Sequence, residues 1–168
     1  FNTENYVSSL AACIEGLDCP AGASRLDPLL ERIADQLGQV PRDTRLLVAS
    51  TKGEIDRLEV ACRAGEHPPQ AALFEPLLEK ISRRFGLLDS GMNINAACAS
   101  STIALAHGAG MIASGQARSV LVYAADIVSE FVFSGFSALQ ALSGKPCKPF
   151  DQERQGLNLG EAGVALLL

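Results

Sequence analysis

A chain of 168 residues, 48% hydrophobic and formally −5 in charge, has enough apolar material for one globular core and too little length for two independent ones. The acidity and the lack of any basic run argue against nucleic acid or an anionic membrane as main partner. Five cysteines without a C-x-x-C pair, and only two histidines, argue against a disulfide framework or a zinc site and point to a reduced, cytoplasmic setting without metal; nothing reads as a membrane span or signal peptide.

Taken in chain order, Thr3 is a plausible cap for an amphipathic helix carrying Tyr6, Val7, Leu10, Ala11 and Ile14, stopped by Gly16. "DPLLERIADQLG" predicts a second helix, with Asp27 as cap, Pro28 in the first turn and Gly38 as exit. "RLLVAS", 45–50, reads as a short buried strand. "TKGEIDRLEVACRAGEHPPQ" holds a Gly turn, a short helix and a loop around His67, and "LFEPLLEKISRRFG" a helix opened or kinked at Pro76. Then come a strand, "GMNINAA", a helix, "CASSTIALAHGAGMIASG", and a strand, "RSVLVYAAD", dense in β-branched and aromatic residues. A looser "IVSEFVFSGFSALQALSG" and the loop "KPCKPFDQERQG" lead to "GEAGVALLL", which resembles a buried strand. Apolar strands alternating with helices predict an α/β protein whose sheet is covered by helices on both faces. The start at Phe1 without Met and the stop inside an apolar run lead us to expect a piece of a longer protein.

Cys98 sits at the junction of strand and helix. The thiolate is the nucleophilic form of cysteine, and a helix N-terminus, with free N–H groups and about half a positive charge, favours it. Position alone also fits a small hydrophobe in the core. The helix is rich in small residues, and helix-interior Gly costs ~1 kcal/mol relative to Ala, so the pattern predicts close packing on more than one side. Cys13 and Cys62 fall in amphipathic helices, Cys19 in a loop, and Cys147 between lysines; none is a site candidate.

"NINAACASSTIALAHGAGMIASGQARSVLVYAAD", "GFSALQALS", "KPFDQERQG" and "GEAGVALLL" together resemble the N-terminal half of the β-ketoacyl-acyl-carrier-protein synthases, the condensing enzymes of fatty-acid and polyketide synthesis. The match is strong from about residue 91 onward, with "LLVASTKGEIDRLE" as a weaker earlier match. The resemblance implies one half of a thiolase-like fold with a mixed, mostly parallel sheet, spanning 1–168 without the family's first strand or its C-terminal half. It makes Cys98 the acyl-accepting nucleophile with its own N–H as an oxyanion donor, and Phe136 a border of the acyl pocket. Phe150, Asp151, Arg154, Gly160 and Glu161 match a structural loop and turn. The usual G-E-G-A-G is shortened to G-E-A-G.

In the family, the cysteine takes an acyl group from acyl carrier protein, and a malonyl unit then condenses with loss of carbon dioxide; no cofactor is implied. The family's two catalytic histidines belong to the C-terminal half, so the resemblance implies that this portion alone does not condense. His107, nine residues past Cys98 on one helix, would lie ~13 Å along it, and reads as a packing residue; His67 reads as a solvated loop residue. The resemblance also implies a homodimer paired through the strand before Cys98. Alternatives are a non-catalytic relative acting as partner or chain-length subunit and another thiolase-fold thioester transferase. A serine hydrolase through Ser100 or Ser101 is weakest, because neither lies in a G-x-S-x-G elbow.

Overall fold

The computed structural model describes residues 2–4 and 6–168. They divide into two compact units, residues 1–16 with 127–162, and residues 17–126 with 163–168. In chain order the elements are β1 (Ala11–Ala12), α1 (Leu26–Gln36), β2 (Arg45–Ala49), α2 (Ile55–Ala64), α3 (Phe74–Phe85), β3 (Met92–Asn93), α4 (Ser100–Ala113), β4 (Val120–Asp126), α5 (Glu130–Ala138), β5 (Leu159–Gly160) and β6 (Ala162–Leu167).

The larger unit is built on a sheet of order β3-β2-β4-β6. β2 runs parallel to both β3 and β4, with Leu47 opposite Met92 and Val122. Val120 and Leu168 exchange both backbone hydrogen bonds, at 3.0 and 2.9 Å, the reciprocal pairing that marks β6 as antiparallel. Side chains alternate between faces along each strand. Leu47, Ala49, Val120, Val122 and Ala124 pack with Ala104 of α4 on one face. On the other, the Tyr123 hydroxyl donates to the Leu30 carbonyl of α1, and Phe85 of α3 meets the Tyr123 ring edge-on, centroids 5.9 Å apart. Helices on both faces are what the sequence pattern predicts and a mostly parallel sheet is what the resemblance implies, and β4 is buried on both sides as its unbroken apolar run requires.

Asp27 is not the cap of α1: Arg25 holds the cap position without a side-chain cap bond, and the Ser24 hydroxyl, one residue earlier, accepts from Leu26 N–H at 3.0 Å. Pro28 still falls in the first turn, and the helix leaves through an extended Leu37 rather than Gly38. In the middle of the unit, buried Glu54 is ion-paired to Arg57 and Lys80, and both cations also reach Asp27, so one charge cluster ties α1, α2 and α3 together.

α4 buries only Ser100, Ala104 and Gly108, residues four apart on a single face. A Cβ at Gly108 would stand 3.1 Å from Val120 and 3.2 Å from Leu168 side-chain carbons, so the expectation of close approach is met there. Burial on more than one side is not met: Ile103, Ala106, Ala109 and Gly110 are exposed. His107 is exposed with them rather than packed.

The smaller unit corrects the sequence reading twice. Among the described residues the stretch from Thr3 to Ile14 holds no helix, although its apolar residues recur at helical spacing. Its groups are claimed by distant partners instead: Tyr6 stacks edge-on against Phe133 at 5.2 Å, the Ser8 hydroxyl donates to the Ser143 carbonyl at 2.7 Å, and Ala11 and Ala12 pair with Leu159 and Gly160. Cys13 consequently lies outside any helix. Conversely, the looser segment contains α5, capped by Ser129, whose hydroxyl accepts from Val132 N–H.

Candidate active site

Parallel α/β sheets place their sites beyond the carboxyl ends of the strands. Here the ends of β2, β3 and β4 are laced by polar side chains. Asp126, closing β4, accepts from the Ser50 hydroxyl and the Thr51 N–H, both at 2.9 Å. Asn93, closing β3, exchanges two 3.3 Å hydrogen bonds with the Ser50 backbone. Asn95 then donates to the Thr51 carbonyl at 2.9 Å. The segment leading from β3 to α4 therefore starts from a fixed base.

Cys98 stands on that segment, two residues before Ser100 opens α4, and it is exposed, so its side chain fills no core. Ala97 adopts φ 50°, the left-handed region, which costs a non-Gly residue roughly 1–2 kcal/mol. Ser100, 5% exposed, turns its hydroxyl back towards this bend: it accepts from Ala96 N–H at 2.9 Å and donates to the Ala97 carbonyl at 2.7 Å. Among the described residues no acceptor takes the Cys98 N–H. The turn thus presents a thiol and a free N–H from one residue, the pair of groups that acyl transfer uses as nucleophile and oxyanion donor.

The other residues singled out by sequence are placed as follows. Phe136 is half-buried in α5; it belongs to the smaller unit and Cys98 to the larger. Phe150 is fully exposed at φ 63°. Asp151 and Arg154 form a turn of their own, Arg154 donating twice to the Asp151 carbonyl. Glu161 is 9% exposed and accepts from Ile14 N–H, while Gly160 pairs with Ala12. His67 is exposed in its loop. Among the described residues no three His, Cys, Asp or Glu side chains could share a metal ion, and no helix is long and apolar enough to cross a membrane.

Ser100, Asp126, Ser50, Asn93 and Asn95 were not legible as site residues. The one signal for Ser50, Asn93 and Asp126 is that polar residues end three otherwise apolar strands, which ordinary strand exits share, and Ser100 has none beyond its place at the helix start.

A cysteine on a strained turn between a parallel strand and a small-residue helix, on this sheet, belongs to the thiolase-like class of condensing enzymes. The chain is a member of the β-ketoacyl synthases: residues 75–168, more than half of it, match the family described as Beta-ketoacyl synthase, N-terminal domain. It is 32% identical over 112 residues to nodulation protein E of Rhizobium sp. (strain N33), which covers 66% of this chain and 28% of that protein. It is 38% identical over 79 residues to β-ketoacyl-[acyl-carrier-protein] synthase III of Rhodopirellula baltica (strain DSM 10527 / NCIMB 13988 / SH1), covering 47% of this chain and 21% of that one. Among solved structures, the ishigamide ketosynthase/chain length factor superposes with a TM-score of 0.79 at 25% identity, over 99% of this chain and 49% of that chain. The chain therefore spans about a quarter of each of these two curated relatives and half of that structure.

Proposed function

We propose that residues 1–168 are the N-terminal ketosynthase domain of a β-ketoacyl-acyl-carrier-protein synthase and supply its acyl-accepting nucleophile, Cys98. The observation that carries this is the exposed Cys98 on its strained turn, inside the region that matches the family. The Cys98 thiol gives its proton to solvent, the thiolate attacks the thioester carbonyl of an acyl carrier protein, the Cys98 N–H meets the developing oxyanion, and the carrier sulfur leaves as a thiolate that takes a proton back from solvent. In the second half-reaction a malonyl thioester loses carbon dioxide. Its carbanion attacks the enzyme thioester, releasing the Cys98 thiolate and a β-ketoacyl carrier.

Decarboxylation calls for positioned donors at the malonyl carbonyl, and neither exposed His67 nor exposed His107, which lies two turns into α4 past Ser100, supplies them. We assign that step to residues outside this chain. Phe136 is taken to border the acyl pocket and acyl carrier protein to be the partner. A homodimer through β3 is supported by its place at the sheet edge, with Met92 47% exposed. Five free cysteines suit a reducing cytoplasm. A non-catalytic chain-length subunit would have no use for an exposed thiol on a strained turn.

The test is to incubate the chain with an acyl-loaded carrier protein and map acyl adducts by peptide mass spectrometry. Acylation is expected at Cys98 ahead of Cys13, Cys19, Cys62 and Cys147; no adduct, or equal adducts at all five, overturns the reading.

A further inference from the structure

We propose that Ser100 is the positioning residue of the nucleophile: its hydroxyl holds the turn that aims the Cys98 sulfur and N–H together. This rests on the reading of Cys98 as the acyl acceptor. A serine that caps a helix accepts from N–H groups two or three residues further on. Ser100 stands one residue past the cap position, held by Ala99, and makes no cap bond. Its hydroxyl faces backward, accepting from Ala96 N–H at 2.9 Å and donating to the Ala97 carbonyl at 2.7 Å. Those two groups flank the left-handed Ala97, and Cys98 is the next residue inside the ring so closed.

The hydroxyl is the group that satisfies Ala96 N–H at this point. Ala96 N–H has no other acceptor among the described residues. At 5% exposure, little water reaches Ser100 to replace the bond. An alanine at φ 50° relaxes towards the right-handed or extended regions when its restraint is lost, and the Cα–Cβ bond and N–H of the following residue turn with it. The turn's other bonds are backbone ones, from Ala99 N–H to the Ala96 carbonyl and from Ser100 N–H to the Ala97 carbonyl, both at 3.1 Å, and a 3.4 Å bond from Ala97 N–H to the Asn95 side chain; none of them satisfies Ala96 N–H. Ser100 thus acts on the reaction through Cys98 without touching substrate.

The experiment compares Ser100→Ala, Ser100→Thr and the double variant Ala97→Gly/Ser100→Ala with the unaltered chain. Three quantities are read: Cys98 acylation by a short acyl thioester of N-acetylcysteamine, Cys98 alkylation by iodoacetamide, and thermal unfolding. Acylation needs sulfur and N–H aligned, whereas alkylation needs only the sulfur. We expect Ser100→Ala to slow acylation by about tenfold or more while alkylation shifts by less than about twofold. Ser100→Thr keeps the hydroxyl and stays close to the unaltered chain. Ala97→Gly makes the left-handed turn free of cost, so the double variant recovers most of the acylation rate. Acylation unchanged in Ser100→Ala, or acylation, alkylation and melting temperature falling together, overturns the proposal. Should Ser100→Ala fail to fold, the double variant decides: folded and acylating it supports the proposal, otherwise it overturns it. An unaltered chain that takes no acyl group at Cys98 overturns the functional reading, and this inference with it.

Discussion

Glu161 accepts the backbone N–H of Ile14 at 2.8 Å across 147 residues of sequence. The same buried carboxylate reaches Val128 N–H at 3.4 Å, so it joins three segments of the smaller unit. Glu161→Ala strands those donors and is expected to destabilise the protein by about 1–3 kcal/mol. Urea denaturation followed by circular dichroism checks this, and an unchanged midpoint would show that the carboxylate is dispensable.

Glu54 is 1% exposed and ion-paired to Arg57 and Lys80, whereas the Glu79–Arg83 pair is a surface i,i+4 contact, 46% and 78% exposed. Removing a buried partner leaves uncompensated charge. Glu54→Ala should cost about 3 kcal/mol and Glu79→Ala no more than about 0.5 kcal/mol. Equal losses by chemical denaturation would count against the cluster as the tie among α1, α2 and α3.

Gly91 has φ 80°, and a Cβ there would lie 2.8 Å from the Leu46 carbonyl oxygen. Gly65, with φ 68°, faces open space. Gly65→Ala should therefore cost about 1 kcal/mol, the left-handed penalty alone, and Gly91→Ala clearly more, because backbone must shift. Paired melting curves decide it.

Burial pushes the Tyr123 phenol well above its ordinary value, and the Glu31 carboxylate adds to the rise. A raised pKa means that the folded state holds this proton longer than the unfolded chain. The contribution is complete below the unfolded value near ~10 and is lost as pH climbs above it. Stability of the unaltered chain should then fall by up to ~1.4 kcal/mol per pH unit from this group. Tyr123→Phe should cost about 1 kcal/mol at neutral pH, through the lost bond to Leu30, and flatten that alkaline slope. Urea titrations from neutral to alkaline pH compare the two, and identical slopes would rule out the assignment.

Cys98 is exposed, so Cys98→Ala should leave stability within about 0.5 kcal/mol while removing acyl uptake from the carrier protein altogether. A variant that still takes up the acyl group at comparable rate would place the nucleophile elsewhere.

The sequence by itself determined the α/β class, a sheet covered by helices and the cysteine between strand and helix. These follow from local signals: unbroken apolar runs at β2 and β4, a helix stopped by the left-handed Gly86 at α3, and motifs that stand in order along the chain. Only the tertiary structure decided what lies at Thr3–Ile14, because helical spacing there loses to partners such as Phe133, Ser143 and Glu161, all more than a hundred residues away. The Ser100 hydroxyl escaped the sequence for a related reason. A serine at a helix start looks the same whether its hydroxyl faces forward to cap the helix or backward to Ala96, and the direction is set by the left-handed turn at Ala97.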